Sequence, residues 1–364
     1  MDDGPGDRAG ARRWIRPLLV VGAVGGLIWF AIVERSHVAQ AIDLLAHSDP
    51  LWIVGGSATS IVSIVLFAAV RSTLLDSGGA HLPLGRATTA SFASGAIAAT
   101  LPAGGAIATA YMVQRYRDAG ADGGLAGWTT IATGVVAPSV LVFITLTGYA
   151  IAGERPSEVI VPATVAFVLL GAFFALTHNP QVLQRPAEAA VGLWLRLRPS
   201  VGRPERDGSP SDTDLADRFV TSFGAVRAGP ARWTAAWTLQ VLSWIGELAA
   251  LVAAIAAVGG ALPTDVRGWG SLLAIYGTSQ LAGALPIIPG GAGQVEAAIV
   301  IGLTATGTDA ATALAASVAF RLMSHWLVVP IGWVCVAALR RRGIDIPERD
   351  AVAVHVDEHL EPGG

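Results

Sequence analysis

The chain has 364 residues, 53% of them hydrophobic and only 14% charged, where an ordinary soluble domain is about a quarter charged. With a mean hydropathy of +0.57 and several uncharged stretches of about 20 residues, a soluble globular protein is excluded and a polytopic membrane protein is indicated. The net charge of −3 itself says little about partners, no nucleic-acid partner is expected, and the single cysteine, Cys335, forms no intrachain disulfide.

Residues 11–41 begin like a signal peptide, with a basic stretch, an apolar core and Ala39-Gln40-Ala41. The apolar core, about 17–33, is longer than an h-region and is read as an uncleaved first span. Uninterrupted spans are predicted at about 51–70, 127–152, 159–177, 231–258 and 312–339. Two broken regions lie among them, at about 87–118 around 101-LPAGGA-106 and about 271–306 around 288-IPGGAG-293. Each reads as two short apolar arms joined at a Pro/Gly break, either a re-entrant pair or a discontinuous helix. The expected fold is therefore all-α and polytopic, with six to ten membrane segments forming one transmembrane domain over 17–342. A cytoplasmic tail, 1–16, precedes it, and a polar, disordered cytoplasmic tail, 343–364, follows.

The basic residues are all arginine, and they are unevenly placed. With the N-terminus inside and each broken region returning to its own side, twenty fall on the cytoplasmic side and three outside (Arg35, Arg155, Arg267), leaving Arg321 in the membrane. That matches the positive-inside rule and puts both termini in the cytoplasm of a bacterial inner membrane. The first break then enters from the cytoplasm and the second from outside. Superposing Pro102 on Pro289, an offset of 187, lays LPAGGAIAT over IPGGAGQVE. An inverted-topology repeat is expected, with the broken helices of its halves meeting near the midplane.

Residues 178–230 are the one sizeable polar insertion, a Pro/Gly/Ser-rich linker and then a short amphipathic helix over 213–229 that carries Leu215, Phe219, Phe223 and Val226 on one face. Within the apolar segments the ionisable groups are few: Glu247, Glu296, Arg321 and His325, with the polar Gln240, Gln280 and Gln294. Such groups are costly in lipid and mark functional sites by default. Glu296 lies seven residues after Pro289 and is expected about two turns into its arm. Pro289, Gly290, Gly291 and Gly293 let the chain bend and expose amide donors at the start of that arm, an anion-friendly terminus. Glu296 is either ionised against Arg321 or protonated and donating; the pair either serves the site or only locks helices. His325, four residues after Arg321, shares its helix face as a hydrogen-bonding group or a proton relay. Glu247 lines the same cavity or acts as packing glue. In the first half, Pro102, Gly104 and Gly105 form the corresponding break, but Thr109 stands where Glu296 stands in the second.

The run 285–333 closely resembles the C-terminal signature of the lysylphosphatidylglycerol synthase transmembrane-region family, also called flippase-like or YbhN-like proteins. The matching residues are Pro289, Gly290, Gly291, Gly293, Glu296, Gly307, Phe320-Arg321 and Trp326-Leu327, with Pro330 a little late. The run 101–120 resembles the family's earlier motif, with Ala103 departing from it. The resemblance implies translocation of a lipid, in a stand-alone form without the aminoacyl-transferase domain of the longer synthases. The expected function is movement of a phospholipid or lipid-linked envelope precursor between leaflets, its anionic or zwitterionic headgroup held by the residues above. No catalytic set, metal-ligand spacing, nucleotide-binding motif or cofactor signature is present. Two alternatives stand beside it: a scaffold for envelope-biosynthesis enzymes, docked through 178–230, and an intramembrane lipid-modifying enzyme.

Overall fold

The computed structural model describes residues 35–101, 104–153, 226–284 and 293–341, with Thr164 and Thr221 besides. The predicted span at 17–33, the span at 159–177, the amphipathic helix at 213–229 except for its last residues, and the tails fall outside the described residues. Among those described, every regular element is a helix.

A short helix α1 (Arg35–Ala46) leads into α2 (Pro50–Leu75), which a single turn of 3₁₀ helix extends to Gly78. Asp49 starts α2 by accepting the Leu51 N–H at 2.8 Å, with Pro50 at the first helical position, where a missing N–H costs nothing. Then come α3 (Leu84–Thr100), α4 (Gly104–Asp118) and α5 (Gly123–Ala152); beyond the insertion lie α6 (Pro230–Ala257), α7 (Val266–Ala284) and α8 (Gln294–Ala305). The chain ends in α9 (Ala310–Arg321), a π-turn (Leu322–Trp326) and α10 (Val328–Arg341). Four stretches are long and apolar enough to cross a membrane: Pro50–Gly78, Gly123–Ala152, Pro230–Ala257 and Ala310–Leu339. They coincide with four of the predicted uninterrupted spans. The last is not uninterrupted, because the π-turn widens it. Pro330 cannot donate to the carbonyl of Trp326 and its ring crowds that group, and the extra residue of the π-turn ends at that position.

Each predicted broken region is a pair of helices flanking the break. In the first, α3 and α4 pack against each other, and Ser94 Oγ donates to the Ala108 carbonyl at 3.5 Å. A Cβ at Gly104 would lie 2.5 Å from the carbonyl oxygens of Ile97 and Ala98, so only glycine lets α4 start this close to α3. In the second, α7 and α8 pack together, with Gly283 against Val295 and Gly302 against Ile275. Both pairs thus run antiparallel in register about residues 101 and 289, and Pro102, Pro289, Gly290 and Gly291 themselves fall outside the described residues.

The most extensive packing crosses between the chain's two halves. Helix α2 lies antiparallel along α6, with Ser243 Oγ donating to the Ser63 carbonyl at 2.9 Å and Gly56 beside Ala253. Helix α5 lies antiparallel along α7: a Cβ on Gly148 would fall 2.5 Å from the Ala274 nitrogen, and one on Gly277 would strike Thr145. Helix α10 lies likewise along α3, where a Cβ on Gly332 would meet the Phe92 carbonyl. Small residues at crossings are how membrane helices gain contact without a hydrophobic drive between them. Large apolar side chains point the other way: Leu51, Ile301 and Val334 are 76%, 67% and 68% exposed. In water such a surface would aggregate; in a bilayer, acyl chains cover it.

Candidate functional site

The site grows from Gly293. Its φ of +84° is open to glycine and strained for other residues, and it turns the chain so that α8 begins one residue later, at Gln294. Glu296 is therefore the third residue of α8. This corrects the expectation of a position two turns into the arm: the helix starts at Gln294 with Gly293 as its cap, so the acid sits in its first turn.

From there the Glu296 carboxylate does two things. Oε2 accepts the Gly293 backbone N–H at 2.8 Å, the reach-back half of a capping box, and Oε1 accepts Arg321 Nε at 2.8 Å from the end of α9. Both side chains are sheltered, Arg321 9% and Glu296 24% exposed. Of the alternatives set out for Glu296, the structure forms the pair with Arg321. At Gly293 the backbone donor is taken by Glu296 itself, while Pro289, Gly290 and Gly291 lie outside the described residues. What α8 presents is a carboxylate and a guanidinium locked side by side, with the Oε1 of Gln294 buried beside them and unpartnered among the described residues.

His325 lies within the π-turn, so the α-helical rule that brings positions four apart onto one face does not apply between it and Arg321. Its ring meets Trp326 edge-on, with centroids 6.0 Å apart, and makes no hydrogen bond among the described residues. Glu247, on α6, accepts a long hydrogen bond of 3.4 Å from the Tyr276 hydroxyl on α7. Tyr276 in turn stands edge-on between Trp244 and Phe320 at 6.4 and 6.5 Å, so an aromatic train runs from α6 through α7 to α9, ending next to Arg321. Sequence reasoning named Glu247 and missed Tyr276; a tyrosine four residues before Gln280 was the available signal. Gln240 is buried at the other end of α6 with Oε1 unpartnered among the described residues.

The second half thus gathers Gly293, Gln294, Glu296 and Arg321 at one point, with His325 one turn on and Glu247 reached through the aromatic train. Gly104 and Gly105 stand apart, at the start of α4; Gly104 is sealed against α3, and Gly105 faces open space. Among the described residues no three His, Cys, Asp or Glu side chains converge as a metal site would require.

A comparison with known proteins sets this site in context. A curated relative, a UPF0104 membrane protein of Methanothermobacter thermautotrophicus, is 23% identical over 357 residues that cover 91% of this chain and 96% of that protein. The family model described as the lysylphosphatidylglycerol synthase TM region matches residues 14–332, a stretch that holds every helix from α1 to the π-turn and the Glu296–Arg321 pair. The chain is a multi-pass membrane protein that belongs to the lysylphosphatidylglycerol synthase transmembrane-region family.

Proposed function

We propose that this protein moves a phospholipid or lipid-linked envelope precursor between the leaflets of a bacterial inner membrane, with both termini in the cytoplasm. The observation that carries the reading is the sheltered Glu296–Arg321 pair at the start of α8, inside an apolar bundle and beside a Pro/Gly break. A fixed acid and base side by side suit a zwitterionic headgroup, which can exchange its own charges against theirs. A charge-bearing headgroup needs such partners to cross an apolar core, while its acyl chains stay in lipid.

The second part of the proposal is an inverted repeat, in which α2–α5 corresponds to α6 through α10. Three features support it: the order and lengths of the helices agree between halves, each half holds an antiparallel hairpin at the corresponding place, and the pairings are reciprocal. Helix α5 packs on α7 as α10 packs on α3, and α2 pairs with its own counterpart α6, each time antiparallel. In proteins so built, one half rocks against the other around a central site. The hairpins α3–α4 and α7–α8 would be re-entrant and enter from opposite faces.

The test is a leaflet-access assay in proteoliposomes holding headgroup-labelled phospholipids. Wild-type protein should bring inner-leaflet label within reach of an external quencher, and Glu296→Gln and Arg321→Ala should slow that exchange. Undiminished exchange in both variants would remove the site; no exchange by the wild type with any lipid tested would remove the function.

A further inference from the structure

A second charged group in the bundle differs from the first. Arg71 lies on α2, and its guanidinium is enclosed by three elements: Nη1 donates to Ser91 Oγ on α3 at 2.8 Å and to Met112 Sδ on α4 at 3.7 Å, and Cζ lies 4.3 Å above the ring of Phe67. None of these partners is a carboxylate. Arg321 faces Glu296, and Arg115, 6% exposed on α4, faces Asp118 at 3.2 Å. Arg71 forms no ion pair among the described residues. Its contacts spend Nη1 alone, and the Nε–Nη2 edge makes no hydrogen bond among the described residues without being fully enclosed. That edge is the planar fork that grips a phosphate or carboxylate through two parallel bonds.

Depth supports the same assignment. The helix Pro50–Gly78 has 29 residues, or about 43 Å at the α-helical rise, against a hydrocarbon core of ~30 Å. Arg71 is seven residues from its end, about 10 Å along the axis. That places the guanidinium near the boundary between acyl chains and headgroups, at the level of lipid phosphates. A snorkelling arginine would extend along the surface into water; this one is held inward by Ser91 and Met112.

Resting on the reading of the protein as a lipid transporter, we propose that Arg71, positioned by Ser91, Met112 and Phe67, is a binding site for a phosphate-bearing anion supplied by a lipid headgroup at the membrane boundary. The first half would then recruit net negative headgroups with an uncompensated cation, while the charge-balanced Glu296–Arg321 pair in the second handles the headgroup in transit.

The experiment is equilibrium lipid retention by the full-length protein in detergent micelles, read by native mass spectrometry with phosphatidylglycerol and phosphatidylcholine offered in equal amounts. Wild type should hold phosphatidylglycerol preferentially, and Arg71→Gln should reduce that preference about tenfold, the worth of a charge-assisted contact. Arg71→Lys, which keeps the charge and loses the fork, should fall between, with an unchanged unfolding temperature; it carries the test if Arg71→Gln does not fold. Inorganic phosphate in millimolar excess should not displace the lipid; displacement would keep the anion site and assign it to a soluble ligand. Equal retention of both lipids by the wild type, or an Arg71→Lys or folded Arg71→Gln protein that matches it, overturns the proposal. Because no translocation is read, this failure is distinct from failure of the leaflet-access assay.

Discussion

Glu296→Gln keeps the shape of the side chain and one acceptor oxygen, but it removes the charge and puts an amide NH2 where the second oxygen was, so either the Gly293 N–H or Arg321 Nε loses its acceptor. An exposed ion pair contributes about 0–1 kcal/mol, whereas removing one partner of a fully buried pair costs about 3–5 kcal/mol, because the survivor is left uncompensated. With Arg321 9% and Glu296 24% exposed, this pair lies between those limits, nearer the buried one. A loss of about 2–3 kcal/mol is expected for Glu296→Gln, and a similar loss for Arg321→Gln. The double variant leaves no lone charge, so its loss should fall short of the sum of the singles by about 1–2 kcal/mol. The assay is reversible unfolding in mixed micelles, titrated with a denaturing detergent and followed by far-ultraviolet circular dichroism, with all four proteins forming a double-mutant cycle. Additive singles, with a coupling below about 0.5 kcal/mol, would mean that solvent or lipid headgroups already screen the two charges. The argument that α8 and α9 hold a sheltered acid–base pair would then fail.

The crossings give a sharper structural contrast. Gly148→Ala would put a Cβ 2.5 Å from the Ala274 backbone nitrogen and should cost about 1–3 kcal/mol as α5 and α7 are forced apart; Gly105→Ala, with nothing within 4 Å, should be neutral or stabilise by about 0.5–1 kcal/mol, both read as unfolding temperatures. Tyr276→Phe removes the hydroxyl donated to Glu247 and should cost about 1 kcal/mol in the same titration; no change would mean the 3.4 Å contact contributes nothing. Asp309 caps α9 through the Thr312 N–H at 2.9 Å, and hydrogen bonds from the Thr312 side chain and backbone hold its carboxyl below the usual range. A lowered folded-state pKa stabilises above the unfolded value of about 3.9 and is lost as pH falls through the folded one. Asp309→Ala should therefore cost about 1 kcal/mol between pH 5 and 8, with the gap to wild type closing below pH ~4 in a pH series of unfolding midpoints.

How much was readable beforehand follows from which forces act locally. The long spans were legible because lipid demands an uninterrupted apolar stretch, and the caps confirm their starts within a few residues: Asp49, Asp122 and Asp309 each accept an amide in the first turn. The two breaks were legible because proline and glycine act on their own backbone. The Glu296–Arg321 pair was named from burial cost alone, since neither group tolerates lipid without the other. What the sequence hid is three-dimensional. The π-turn depends on how Pro330 crowds the preceding turn, and it reads as plain apolar helix in one dimension. Tyr276 becomes the partner of Glu247 only when α6 and α7 are brought together. Arg71 looked like one more positive-inside arginine near a span end, and its enclosure by Ser91, Met112 and Phe67 needed the α3–α4 hairpin folded beside α2.

The chemistry of the proposed repeat is less symmetric than its geometry. With the offset of 187, Glu296 corresponds to Thr109 and Arg321 to Gly134, and from the matched starts of α2 and α6, Pro50 and Pro230, Arg71 corresponds to Leu251. None of these three charges has a charged counterpart, whereas the helix caps Asp122 and Asp309 do coincide. Without an energy input a carrier can only equilibrate the leaflets, whether its sites match or not; unequal sites change how tightly each access state holds a headgroup. Here the framework of crossings is shared, carried by glycines such as Gly148 against α7 and Gly332 against α3, so the two access states can lie close in energy. Arg71 and the Glu296–Arg321 pair are not shared, so on the transporter reading proposed above a headgroup would meet a lone cation from one side and a balanced pair from the other.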